Sequence, residues 1–137
     1  MPQFATESLR NIVLLSHSGA GKTALSEAML YKAGVASRLG STDDGTTVSD
    51  YEPEEHRRNT SVQISILPCP WRDHKINVID TPGYADFRGE VASGMRVADG
   101  AILVIAGPAG VEVGAQQMWD LADERGLKWY QSSEGVR

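Results

Sequence analysis

An α/β domain with a mainly parallel sheet is predicted by three features of this sequence. Short continuous apolar runs at residues 12–15 and 101–106 read as strands covered on both faces, which parallel sheets supply. Segments of helical apolar spacing follow or separate such runs, at residues 22–32, 87–98 and 111–125. Turn formers stand where strand gives way to helix, as Ser-Gly-Ala-Gly at 18–21, Thr81-Pro-Gly and Gly107-Pro-Ala-Gly.

The elements follow in order. Residues 11–15 form the first strand, and the helix at 22–32 buries Ala24, Leu25, Ala28, Met29 and Leu30 before Gly34 closes it. Residues 34–60 have neither period, are rich in turn formers and carry six acids between Thr42 and Arg58. A stretch of this length without periodicity is expected to be a functional loop, with a plain solvated loop as the alternative. Residues 61–67 alternate as a strand, the Pro68-Cys-Pro-Trp-Arg-Asp-His segment is expected to turn, and 75–80 returns as the next strand, making one antiparallel hairpin. The helix at 87–98 spaces Phe87, Val91, Met95 and Ala98, and the strand at 101–106 leads through a glycine turn to the last helix. Lys128-Trp-Tyr-Gln-Ser-Ser-Glu-Gly-Val-Arg137 lacks the apolar run of a fifth strand, so the sheet is expected to stop after the fourth strand and its following helix.

Composition sets outer bounds. The chain has 137 residues, 41% hydrophobic and 23% charged, which fits one globular domain. No apolar run approaches the roughly 20 residues of a membrane span, and the first residues lack a basic region followed by an apolar stretch, so neither membrane nor leader is expected. The single cysteine, Cys69, placed in the expected hairpin turn, excludes an internal disulfide and fits a cytoplasmic location. Net charge of −5 argues against direct binding of free nucleic acid. His56 and His74 have no assigned role, His17 is expected to be a spacer packed under the loop that follows it, and Trp119 and Trp129 are expected to cover apolar surface.

The chemistry sits in Ser16-His-Ser-Gly-Ala-Gly-Lys22-Thr23. It fits the phosphate-loop pattern G-x-x-x-x-G-K-[ST], with Ser16 in place of the first glycine. Small residues let backbone N–H groups from His17, Ser18, Gly19, Ala20, Gly21, Lys22, Thr23 and Ala24 face phosphate, and the helix start adds positive potential. Lys22 would neutralise β- and γ-phosphates, and the Thr23 hydroxyl would ligate Mg²⁺. Asp80-Thr-Pro-Gly83 ends a later strand, where the carboxylate can hold Mg²⁺ and the Gly83 N–H can touch the γ-phosphate. Each element alone also reads as a plain strand exit, but together, with a long loop between them, they indicate the P-loop nucleotide triphosphatase fold, a three-layer sandwich.

These residues, with Leu-Arg-Asn-Ile before the loop, Asp50-Tyr-Glu-Pro-Glu-Glu, Asp80-Thr-Pro-Gly-Tyr-Ala-Asp-Phe, Arg96-Val-Ala-Asp-Gly-Ala-Ile-Leu-Val and Gly110-Val-Glu-x-x-x-x-Gln, resemble the translational GTPases, and within them elongation factor G and its paralogues. The likeness runs over about residues 9–127 and makes the chain, residues 1–137, part of a G domain. It implies a phosphate loop at 16–23, a first switch at about 36–62 and a second at about 80–95, GTP and GDP as ligands, Mg²⁺ as cofactor and a ribosome as partner.

The departures bear on chemistry. Where the family ends its first switch in Arg-Gly-Ile-Thr-Ile, this chain has Arg58-Asn-Thr-Ser-Val, so Ser61 takes the threonine place toward Mg²⁺, with Thr60 the alternative. Gly19 replaces an aspartate. Tyr84 replaces the histidine that positions the attacking water, and tyrosine, with a pKa near 10, is a poor base at neutral pH. The Asn-Lys-x-Asp guanine motif is absent and residues 128–137 diverge, so the chain reads as a truncated or diverged N-terminal piece. GTP binding with Lys22 and Tyr84 in catalysis is therefore one expectation, with turnover left open. The alternatives are a non-hydrolysing ribosome- or partner-binding module and a phosphate-loop fragment that does not select its base.

Overall fold

Residues that alternate along the first strand go to opposite faces of the sheet, and this sets the layering. In the computed structural model, β1 (Leu9–Ser16) is the central strand, and the structure describes residues 4–41, 44–48, 63–83 and 88–132. Around β1 stand α1 (Lys22–Lys32), β2 (Ser65–Trp71), β3 (His74–Asp80), α2 (Arg88–Val97), β4 (Gly100–Val104), α3 (Val113–Glu124) and β5 (Trp129–Ser132). Val13 and Leu15 point to one face, where Val91 and Met95 of α2 and Met118 and Ala122 of α3 cover them. Leu14 points to the other, against Leu30 of α1 and Leu67, Cys69 and Val78 of the hairpin. The result is the three-layer sandwich that the apolar pattern implies.

The sheet order is β2-β3-β1-β4-β5, with β1 parallel to β3 and β4, β4 parallel to β5, and β2 antiparallel to β3. The chain leaves β1 toward β3 and leaves β3 toward β4, on the other side of β1. The carboxyl ends of β1 and β3 therefore open at the point where the connections diverge, the usual place for a ligand in such sheets. Asn11 secures the opposite end: its N–H meets Asp99 Oδ2 at 2.7 Å, its side-chain amide meets the Val97 carbonyl at 2.9 Å, and its side-chain oxygen accepts from Asn77 Nδ2 at 2.8 Å.

Three expectations need correction, two of them in the sheet. The segment around Cys69 is strand, with only Arg72 and Asp73 in the turn and Arg72 in the left-handed region at φ 52°. Prolines are tolerated because β2 is an edge: Pro68 and Pro70 alternate with buried Leu67 and Cys69. Burial also pushes the Cys69 thiol pKa up, so it is a packing group.

The fifth strand, which the missing apolar run argued against, is present: Trp129 to Ser132 pair in parallel with Ala101 to Val104. A short edge strand needs only one inward residue, and Trp129 supplies it, while Tyr130 stays 70% exposed. Trp129 meets Trp119 with ring centroids 4.2 Å apart, on the α2–α3 side of the sheet, as expected for residues covering apolar surface. Both indole N–H groups donate to the Asp123 carboxylate at 2.9 Å. Residues 61–62, 84–87 and 133–137 lie outside the described residues, and with them the expected strand start at Ser61 and helix start at Phe87. Among the described residues no helix is long and apolar enough to cross a membrane.

Asp123→Ala should lower stability by about 1 kcal/mol, the loss of two solvent-facing hydrogen bonds to one carboxylate. Urea unfolding followed by tryptophan fluorescence measures this, and an unchanged midpoint would show that the indole pair holds β5 unaided.

Candidate phosphate-binding site

The loop between β1 and α1 is shaped by its glycines. Gly19 and Gly21 take φ of 77° and 97°, conformations that a side chain disfavours. Gly21 then stands at the N-cap of α1 without a side-chain cap, and no acidic residue occupies the first turn. The positive end of the helix is thus left to act on whatever lies in the loop. Ala20 is buried, and its N–H reaches back to the His17 carbonyl at 3.4 Å.

Lys22 is the first residue of α1, yet only 7% exposed. Its ammonium donates to Ser16 Oγ at 2.7 Å. Close to it stands the exit from β3: a Cβ on Gly83 would lie 2.8 Å from Lys22 Nζ and 2.8 Å from Ser18 Cα. Glycine is needed there because the backbone itself must approach the loop. Thr81, just before it, is fixed by a hydrogen bond from its hydroxyl to the Leu14 carbonyl at 2.7 Å. The Lys22 ammonium, the loop backbone at Ser18 and the β3 exit thus meet at Gly83.

Beside it in the first turn, the Thr23 hydroxyl donates to Asp80 Oδ2 at 2.9 Å. Ser26 joins them, its hydroxyl donating to the Thr23 carbonyl at 2.8 Å and lying 3.5 Å from the same carboxylate oxygen. The Thr23 oxygen keeps lone pairs when its proton goes to Asp80. A hydroxyl and a buried carboxylate, hard donors side by side, fit the sparse protein share of a Mg²⁺ site that also takes phosphate and water. They do not make a cage: among the described residues no three His, Cys, Asp or Glu gather at a common point.

The sequence-derived residues therefore divide. Ser18, Gly19, Ala20, Gly21, Lys22, Thr23, Ala24, Asp80 and Gly83 fall in the loop, the first turn of α1 and the facing β3 exit. His17, expected as a spacer, does not pack under the loop. Its ring is 40% exposed, lies beside Gly114 at the start of α3, and faces Glu112 Oε1 at 3.6 Å. Ser61, Thr60 and Tyr84 lie outside the described residues.

Sequence reasoning missed Glu27. It is fully buried, its Oε1 accepts the Val48 N–H at 2.6 Å, and a Cβ on Gly40 would collide with its carboxylate. Glu27 thus ties Gly40 and Val48 to α1 on the face that carries Thr23. The signal was present, because a charged residue stands four after Thr23 and three before Leu30, inside the apolar stripe of the helix.

Residues 7–130 match the elongation factor Tu GTP binding domain family. Over 113 residues the chain is 47% identical to the mitochondrial ribosome-releasing factor 2 of Scheffersomyces stipitis, which covers 82% of this chain and 13% of that protein. Over 117 residues it is 44% identical to elongation factor G of Granulibacter bethesdensis, covering 85% of this chain and 17% of the relative. A crystal structure of a Thermus thermophilus protein superposes with a TM-score of 0.85 at 38% identity, over 90% of this chain and 19% of that one. The bacterial selenocysteine-specific elongation factor shares the fold alone, with a TM-score of 0.68 at 22% identity over 89% of this chain and 19% of its own.

Glu27→Ala should speed hydrogen exchange at the Val48 amide by about tenfold, the effect of losing one hydrogen bond. Glu27→Gln keeps an acceptor and should fall between. Parent-like exchange in the alanine variant would mean that Val48 is held by other contacts.

Proposed function

The chain belongs to the elongation factor Tu GTP binding domain family, the translational GTPases, and on that premise we propose that it binds GTP and GDP with Mg²⁺ at the junction of β1, α1 and β3. The observation that carries this reading is the convergence of Lys22 Nζ, the Gly83 backbone and the Thr23–Asp80 pair on the carboxyl ends of two adjacent parallel strands.

Each residue has a defined task in this reading. Backbone N–H groups of residues 17–24 receive the α- and β-phosphate oxygens, and Lys22 spans the β- and γ-phosphates. The Gly83 N–H marks the γ-phosphate, so a diphosphate and a triphosphate differ at the β3 exit. Thr23 and Asp80 hold Mg²⁺, with Ser61, or Thr60 beside it, joining from the first switch. Bound there, Mg²⁺ neutralises charge on the phosphate oxygens. For hydrolysis, water attacks the γ-phosphorus in line with the leaving diphosphate, and Lys22 with the loop amides stabilises the charge that develops.

Tyr84 decides whether turnover follows binding. A phenol can orient water by a hydrogen bond but takes its proton poorly at neutral pH. Slow intrinsic hydrolysis is therefore part of this proposal, with nucleotide state read out by a ribosome as partner, in the cytoplasm. The chain spans 13% and 17% of the two relatives above, so the activities named for those whole proteins come to it only as this proposal. The acidic balance of −5 assigns it no free nucleic acid as ligand.

Calorimetry with GTP, GDP and ATP, with and without Mg²⁺, tests the reading. GTP and GDP should bind, and Lys22→Ala should weaken GTP by about tenfold to a hundredfold. Unchanged affinity in that variant would remove the phosphate-site reading, and equal affinity for ATP and GTP would remove the guanine part alone. Tyr84→His should raise phosphate release by at least about tenfold with GTP affinity little changed; equal rates would place the deficit elsewhere.

A further inference from the structure

The phosphate-loop pattern opens on glycine, and this chain has serine there. The hydroxyl is not idle. Ser16 is 2% exposed, donates to the His17 carbonyl at 2.5 Å and accepts from Lys22 Nζ at 2.7 Å. We propose that Ser16 is a positioning residue for nucleotide binding, its hydroxyl holding the Lys22 ammonium in place across the loop before phosphate arrives. The proposal rests on the reading of Lys22 as the phosphate-binding cation.

The direction of the hydrogen bonds makes Ser16 an acceptor by construction. Its proton is committed to the His17 carbonyl, so the lone pairs face the ammonium. Its anchor is rigid, because Ser16 is the last residue of the central strand and pairs with Val104 of β4. A lysine side chain otherwise loses much rotamer freedom when it grips a ligand, and prior fixing removes that loss from the binding step.

Holding Lys22 this way does not compete with phosphate. An ammonium has three donors, so a bond to the hydroxyl and a contact to phosphate are compatible. Ser16 ends the strand that enters the loop, and the Gly83 backbone also stands close to Nζ. Neither glycine nor alanine at this position offers a side-chain acceptor. The serine therefore acts through Lys22, and its effect must vanish when the ammonium is removed.

GTP titrations with Mg²⁺ on the full 137-residue chain form a double-mutant cycle that tests this. Ser16→Ala should weaken GTP about fivefold to tenfold, as one charge-assisted hydrogen bond implies. Ser16→Thr, which restores a hydroxyl, should bind within about twofold of the parent. On a Lys22→Ala background, Ser16→Ala should cause no further loss. The same loss on both backgrounds, or a threonine variant as weak as alanine, would overturn the proposal. Parent-like affinity in Ser16→Ala would do so too, and Ser16→Gly serves the same comparison should the alanine variant unfold. If Lys22→Ala alone binds GTP like the parent, the phosphate-site reading itself fails, an outcome separate from the others.

Discussion

A lysine ammonium that is almost entirely buried is the constraint around which this domain is arranged. A charge removed from water must be met by fixed polar groups, or the group neutralises or the fold gives way. Lys22 meets a hydroxyl at the end of β1 and stands against the backbone at the exit of β3. Both strand ends must therefore lie side by side and level. Parallel pairing of β1 with β3, in a register that sets Leu14 opposite Asp80, makes them so. The Thr81 hydroxyl bond to the Leu14 carbonyl then fixes the turn that brings Gly83 back over the loop.

The first helix carries the same logic away from the loop. Thr23, Ser26, Glu27 and Leu30 lie at helical spacing on one face, so polar and apolar demands share a single stripe. At its start the stripe meets Asp80, in its middle it accepts the Val48 amide, and at its end Leu30 enters the core with Leu14 and Val78. One rigid helix therefore connects the candidate cation donors, Gly40 and Val48, and the hydrophobic layer. A shift of α1 relative to β3 would disturb all of them together.

Much of this was legible because the signals were local. Strand, glycine turn and helix at residues 11–32 follow from run length, turn residues and spacing; β1 extends to Leu9–Ser16, and α1 has the bounds that its apolar pattern implies. The Asp80-Thr-Pro-Gly exit, too, lies where the motif requires it. What sequence could not give depends on neighbours. Pro68 and Pro70 read as turn until β2 is seen at the sheet edge, where their missing N–H groups go unneeded. The fifth strand hides because one inward tryptophan and backbone pairing suffice for it. His17 reads as a spacer because nothing in the loop shows that a glycine at 114 leaves room for its ring on another helix. Ser61 and Tyr84 were placed by motif alignment alone, and they fall outside the described residues.

The overall charge and the local charge of this chain point in opposite directions, and distance reconciles them. Eighteen acidic against thirteen basic residues give a surface that repels an extended phosphate backbone. At physiological salt that repulsion fades over about 8 Å, so the sign at a site is set by what stands within it. The loop itself supplies one ammonium, an uncapped helix start with no acid in its first turn, and Gly19, where the resemblance implies an aspartate, while the Asp80 carboxylate beside it accepts from Thr23 as a candidate Mg²⁺ donor. The positive groups of the loop thus act at short range, the ammonium held against Ser16 and close to the Gly83 backbone. A compact cluster of phosphates placed against these groups meets all of them at once, whereas a polymer with its phosphates spread along a strand meets the acidic surface first.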